Sequence, residues 1–338
     1  MKILPLVHSG LTFALDSTRV QLGLRPLKPL VIGFTINTVC NLRCSYCFIG
    51  TDKQHFPEGF SHQGLTLEQV KTILENIRKD ADCLIITGGE PFLYPQFEEV
   101  LRFAKNELQF LNISIATNAI FIKKKKHILQ YIDRLGISYD LTRAREYPKQ
   151  LLQMREDLVL LKKEGVLPPV HFTMTLLPDE DLTPIPEFLE FCREHTFRIW
   201  AQPVREDGDF VKWPWFLETL SLLKKGLGEE LLLNNIDEVK SYSKENADEI
   251  CFPETRLHVH HDGTLLYPCH KLEHLYKAGS VLEKTPMTLW REAEKKFGSF
   301  PTPACGNCGF TCYFETSGHY RHPLTFLKKA YHHVLKGS

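Results

Sequence analysis

The sequence lacks any run approaching the ~18 apolar residues that a membrane-spanning helix needs, so no transmembrane segment is expected. It also lacks net charge. Its 41 Lys and Arg balance 41 Asp and Glu, leaving no global field to recruit nucleic acid or an anionic membrane. Internal repeats and low-complexity stretches are missing too. The opening run Met1 to Val7 is broken by His8 and Ser9, too soon for the apolar core of a signal peptide. A cytoplasmic protein is expected, and cytosolic thiols stay reduced. The ten cysteines are therefore read as metal ligands, catalytic groups or buried small residues rather than as disulfides.

What is present is an ordinary globular composition, 43% hydrophobic and 24% charged over 338 residues, enough for one or two packed domains. Short β-branched runs alternate with helical patterns over the first two thirds of the chain. The runs are Leu30 to Ile36, Cys83 to Thr87, Leu111 to Thr117, Ile137 to Leu141, Val170 to Leu176 and Arg198 to Gln202. Between the first two, Thr66 and Gln69 form a capping box ahead of the stripe Leu67, Val70, Ile73, Leu74 and Ile77. Further stripes are Phe97, Val100, Leu101, Ala104, Leu108; Ile128, Leu129, Ile132, Leu135; Leu151, Leu152, Leu158, Leu161; and Phe188, Leu189, Cys192. Strict strand-helix alternation predicts a parallel sheet, open or curled into a partial barrel, with its chemistry at the C-terminal strand ends.

The alternation stops near residue 204. Arg205 to Asp209 reads as a turn and 215 to 247 as a helical connection. Leu257 to His260 then meets Thr264 to Tyr267 through His261-Asp262-Gly263, a strong hairpin signal that brings Cys251 and Cys269 to one end. A helix over Thr288 to Phe297 leads to a Gly-rich loop with Cys305, Cys308 and Cys312.

The sharpest chemical feature is the C-x3-C-x2-C triplet Cys40, Cys44 and Cys47, just beyond the first strand. Three thiolates on one loop can hold three irons of a four-iron four-sulfur (4Fe-4S) cluster and leave the fourth open. A zinc site is the alternative and would want a fourth nearby ligand. At the end of the second strand stands Thr87-Gly88-Gly89-Glu90-Pro91, where glycines let the backbone approach a ligand and Glu90 can receive an ammonium.

The triplet and this glycine turn, in that order on the first two strands of a βα series, resemble the radical SAM superfamily over residues 30 to about 205. Tyr46 matches the aromatic position before the third cysteine, and Thr117-Asn118 a stretch at the third strand tip. The resemblance implies an α/β fold, a partial (β/α)6 TIM-like barrel with a small C-terminal hairpin-plus-helix domain. Cys40, Cys44 and Cys47 would bind the cluster, whose open iron would be chelated by S-adenosylmethionine (SAM). Gly88, Gly89 and Glu90 would hold the methionine end, while Ser114, Thr117, Asn118 and Gln202 lie where the family often touches the ribose or carboxylate. One-electron cleavage of SAM would give a 5′-deoxyadenosyl radical that removes a hydrogen atom from a substrate carbon.

The C-terminal cysteines resemble the SPASM and twitch extensions that carry auxiliary clusters. This chain has five there, Cys251, Cys269, Cys305, Cys308 and Cys312, in a contracted pattern that departs from the two-cluster SPASM arrangement. One auxiliary 4Fe-4S cluster is implied, held by Cys251, Cys269 and two of the other three, with zinc as the alternative. The expected segments are an N-terminal extension (1–29), a radical SAM core (30–205), a helical linker (206–248), the auxiliary domain (249–318) and a basic amphipathic helix (319–338).

Other features take plainer readings. Cys83 and Cys192 fit as buried small residues. Lys123 to Lys126 reads as a solvated face that could also receive an acidic flavodoxin or ferredoxin electron donor. His258, His260, His261 and His270 read as surface or packing residues, with His270 beside Cys269 able to touch substrate or cluster. The expected substrate is a small molecule or cofactor precursor to be oxidised, coupled or rearranged. Peptide or protein maturation is the alternative, although the short stretch before the first strand leaves no room for a leader-recognition domain. A non-catalytic iron-sulfur or zinc protein is the remote alternative.

Overall fold

The computed structural model describes residues 3–47, 49, 64–178, 180–203, 213–228, 230–234, 236–242, 251–269, 276–299 and 311–324. Six strands follow the alternation seen in the sequence: β1 (Val31–Thr35), β2 (Cys83–Thr87), β3 (Asn112–Thr117), β4 (Arg134–Tyr139), β5 (Val170–Leu176) and β6 (Arg198–Pro203). All are parallel to their neighbours, in the order β6-β5-β4-β3-β2-β1. This is the expected α/β fold with a mostly parallel sheet.

The hairpin strands β7 (Arg256–Val259) and β8 (Thr264–Leu266) are present, but they do not stand apart. β7 adds to the free edge of β1 in parallel, placing Gly33 beside His258, and β8 and β9 (Lys277–Ser280) extend the sheet to nine strands. Gly263 closes the hairpin at φ +84°, a conformation that a side chain would strain.

Alternation within each strand separates two faces. Leu135, Ile137, Phe172, Met174 and Ile199 are buried in the apolar core against the helices, and the residues between them line the other, inner face. The helix α1 (Ile3–Gln21) stacks Phe13 on Tyr320 of a distant helix, Thr311–Arg321, with ring centroids 5.2 Å apart. Helix α2 (Leu67–Asp80) starts on the expected capping box and buries Val70, Ile73, Leu74 and Ile77. Asn76 on the same helix donates to the Val281 carbonyl at 2.7 Å, tying the hairpin region to the core.

Three sequence expectations are corrected. Ile128 to Leu135 is no helix: a short 3-10 turn over Lys126–Tyr131 precedes β4, which begins at Arg134. The apolar spacing there suits a helix, but Leu135, Ile137 and Tyr139 also alternate, and pairing with β3 and β5 decides in favour of the strand. β4 ends before Leu141 because Asp140 caps the helix Leu141–Glu146. Leu152, on the helix Pro148–Lys163, is 58% exposed, and Met154 takes the inward position instead. The connection expected over 215–247 contains helices Trp213–Leu227 and Ile236–Tyr242. The turn at 205–209, His270, Cys305, Cys308 and the C-terminal helix beyond Leu324 lie outside the described residues.

Candidate active site

The three-cysteine loop leaves the C-terminal end of β1 and is held from three sides. From β2, Gly89 N donates to the Asn37 carbonyl (2.9 Å) and Glu90 N to the Val39 carbonyl (2.7 Å). The glycines are needed for this contact. A Cβ at Gly88 would stand 2.6 Å from the Asn37 carbonyl oxygen, and one at Gly89 would stand 2.4 Å from that of Val39. The expectation that they admit a ligand is thus joined by a second reason: they admit the segment that delivers Cys40.

From β3, Asn118 Nδ2 donates to Asn41 Oδ1 (3.0 Å) and reaches Cys40 Sγ at 3.9 Å. Glu90 is fully buried and joins the two sides. Its carboxylate accepts from Thr117 Oγ1 (2.7 Å), Asn118 N (2.8 Å) and Phe92 N (3.1 Å). Burial raises its pKa, and these three donors oppose the rise.

From β4 comes a group that the sequence reading missed. Tyr46 Oη donates to Asp140 Oδ2, and Arg143 Nη2 donates to Tyr46 Oη at 3.2 Å. Arg143 also donates to the Ser138 carbonyl (2.6 Å), and its positive charge works against the rise that burial causes in the Cys44 thiol pKa. Burial opposes the Arg143 charge, but Tyr46, Asp140 and Cys44 more than offset this and leave its pKa raised. A signal for these residues was available: Asp140 follows a strand and precedes a helix, where an N-cap belongs.

Ser114 does not join this site. It lies in mid-strand on the inner wall, donating to Asn112 Oδ1 (2.7 Å). Gln202 stands near the C-terminal end of β6 and donates to Thr175 Oγ1 (3.1 Å). Burial pushes the Cys40 thiol up to about 11. Among the described residues no three His, Cys, Asp or Glu side chains converge on one ion. A cluster asks less, since each thiolate holds its own iron.

Cys251 and Cys269 flank the hairpin at the opposite, N-terminal edge of β1 and β7, where Leu30 N donates to the Thr255 carbonyl (2.8 Å). Phe252 N donates to Ser317 Oγ (3.0 Å), so Cys251 sits beside the helix whose first turn contains Cys312. His258 is no surface residue: it is buried and hydrogen-bonded to Thr35 at 2.8 Å. Two of the four lysines at 123–126 are paired, Lys123 with Asp157 (3.3 Å) and Lys126 with Glu164 (3.0 Å). Cys192 is buried in the core, and Cys83 lies half-buried on the inner wall.

The family model of the radical SAM superfamily matches residues 34–192, from β1 through the helix after β5. The chain carries a radical SAM domain. It is 26% identical over 171 residues to a GTP 3′,8-cyclase of Lactiplantibacillus plantarum, covering 48% of this chain and 51% of that protein. It is 31% identical over 132 residues to the S-adenosylmethionine-dependent nucleotide dehydratase RSAD2 of Siniperca chuatsi, covering 37% and 34%. The chain thus spans about half the length, or less, of these curated relatives. Streptococcus suis SuiB bound to S-adenosylmethionine shares the fold with a TM-score of 0.60 and 19% identity, covering 85% of this chain and 72% of that one. Radical SAM enzymes bind a 4Fe-4S cluster and SAM. No described helix is long and apolar enough to cross a membrane.

Proposed function

We propose that this chain is a radical SAM enzyme whose cluster is held by Cys40, Cys44 and Cys47 and whose substrate is a small molecule bound against the inner wall of the sheet. One observation carries the reading. The loop with three cysteines and no fourth is locked to Gly88-Gly89-Glu90, to Thr117-Asn118 and to Tyr46-Asp140-Arg143, so three strand tips converge on it. A zinc or electron-transfer site would have no need of an open iron, nor of a glycine turn closing over the loop. When bound, cluster and SAM supply a 5′-deoxyadenosyl radical, made with one electron from a flavodoxin or ferredoxin, that takes a hydrogen atom from a substrate carbon.

The residues divide the remaining work. Glu90 fixes the β3 tip through Thr117 and Asn118, and lone pairs remain on its carboxylate for the SAM amino group. Arg143 and Asp140 hold Tyr46 against the loop. Cys251 and Cys269, with two of Cys305, Cys308 and Cys312, hold one auxiliary 4Fe-4S cluster. The small-molecule reading is supported by curated relatives named for GTP and for nucleotides.

The test is formation of 5′-deoxyadenosine by anaerobically reconstituted, dithionite-reduced protein. The wild type is expected to form it. The Cys251→Ser and Cys269→Ser variants are expected to retain this uncoupled cleavage while losing the iron of the second site. A wild type that holds iron and cleaves no SAM would overturn the proposal.

A further inference from the structure

The backbone amides of the cysteine loop turn in different directions. Leu42 N donates to Cys40 Sγ at 3.4 Å, and Cys47 N donates to the Cys44 carbonyl at 3.0 Å. Arg43 N, in the residue just before Cys44, instead donates to the phenolic oxygen of Tyr147 at 2.8 Å. The local sequence fixes Tyr147 for this contact. Pro148 opens the helix Pro148–Lys163 and disfavours helical backbone in the residue before it, so the chain bends at Tyr147, with φ −134° and ψ 51°. Both flanking helices still hold its backbone: Tyr147 N donates to the Arg143 carbonyl (2.8 Å), and the Tyr147 carbonyl accepts from Leu151 N (3.1 Å). Asp140 and Arg143, on the same short stretch, hold Tyr46. One segment, 140–147, therefore grips the loop at both Arg43 and Tyr46.

An amide N–H beside a cluster ligand has two possible uses. Donated to sulfur, it draws off negative charge, favours the reduced cluster and raises its potential. Donated elsewhere, it leaves the sulfur its charge and the cluster a stronger reductant. The Leu42 amide shows that this loop does send N–H groups to sulfur, and the Tyr147 oxygen takes the Arg43 amide away from that role. A cluster that must pass one electron to a sulfonium gains from the lower potential.

We propose that Tyr147 is a positioning residue that keeps the cluster on Cys40, Cys44 and Cys47 strongly reducing, by accepting the Arg43 amide and so withholding it from sulfur. This rests on the reading of that loop as the cluster site. Phenylalanine at position 147 keeps the ring and loses only the acceptor oxygen. The freed amide then turns to sulfur, as the Leu42 amide already does. A tyrosine with a merely structural role would leave the potential unchanged in a variant that folds and takes up its iron.

The test compares wild type and Y147F as full chains, reconstituted anaerobically and matched for iron. Redox titration followed by electron paramagnetic resonance, on the signal that responds to added SAM, is expected to give Y147F the more positive midpoint. The shift expected is about tenfold in the one-electron equilibrium, or ~59 mV. In protein labelled with [α-15N]arginine, nitrogen hyperfine coupling to the reduced cluster should be stronger in Y147F than in the wild type. An equal or more negative midpoint in Y147F would overturn the proposal, and so would a positive shift without the added coupling, which would mean loosened solvent access. Thermal midpoints identify a variant that fails to fold. Hydrogen exchange in the metal-free wild type needs no substitution and is expected to be slowed at the Arg43 amide; an unprotected amide would overturn the proposal. Because that exchange does not depend on a cluster, a wild type that takes up no iron at the loop would count against the underlying reading and leave the exchange result standing.

Discussion

Gly89 and Val39 touch so closely that a single methyl group added at Gly89 would meet the Val39 carbonyl oxygen at 2.4 Å. The clash is with backbone, so relief requires moving the segment that leads into Cys40. Gly89→Ala is expected to cost about 1–3 kcal/mol and to lower the iron bound at the three-cysteine loop by half or more. Iron analysis with a thermal melt checks this. Full iron at an unchanged melting temperature would show that the turn and the loop are not coupled.

Arg143 sets the electrical surroundings of Cys44. A positive charge beside a ligand sulfur favours the reduced cluster. Arg143→Gln is expected to make the midpoint potential more negative, and Arg143→Lys, which keeps the charge and loses the planar fork, to lie between. A redox titration followed by electron paramagnetic resonance reads this at equal iron content. Identical potentials would reduce Arg143 to a support for Tyr46 and Asp140.

Glu254 is buried near the hairpin, 3.5 Å from Arg25, and its carboxylate oxygens accept no hydrogen bond among the described residues. Burial pushes its pKa up to about 7. The folded state therefore holds a proton that the unfolded chain releases at lower pH. Its contribution is fully present below the ordinary glutamate range and is lost as pH rises toward 7, by at most about 3 kcal/mol. Wild-type protein is expected to lose thermal stability between pH 5 and 8, and Glu254→Gln to show a flatter profile. Parallel slopes in scanning calorimetry would contradict this.

Much of this arrangement could be read before folding. The capping box at Thr66, the alternation in β5 and the Asp262-Gly263 turn each depend on neighbours within a few residues, so local pattern sufficed. The pairing of β7 with β1 could not be read that way, because it joins residues more than 200 positions apart. Leu135 was misplaced because four apolar residues fit a helical period until β3 and β5 claimed the last of them. At the site, cysteines and glycines announce themselves by spacing. Arg143 and Asp140 do not, since their role exists only once β4 is beside the loop that carries Tyr46.

The role proposed for Cys40, Cys44 and Cys47, holding the cluster that cleaves SAM, can be read by counting iron and zinc per chain in anaerobically reconstituted protein, before and after their joint substitution by Ala, with 5′-deoxyadenosine measured on the same samples. About eight irons are expected to fall to about four, for one cluster lost and one kept, with 5′-deoxyadenosine abolished. Undiminished 5′-deoxyadenosine from the triple variant would contradict it.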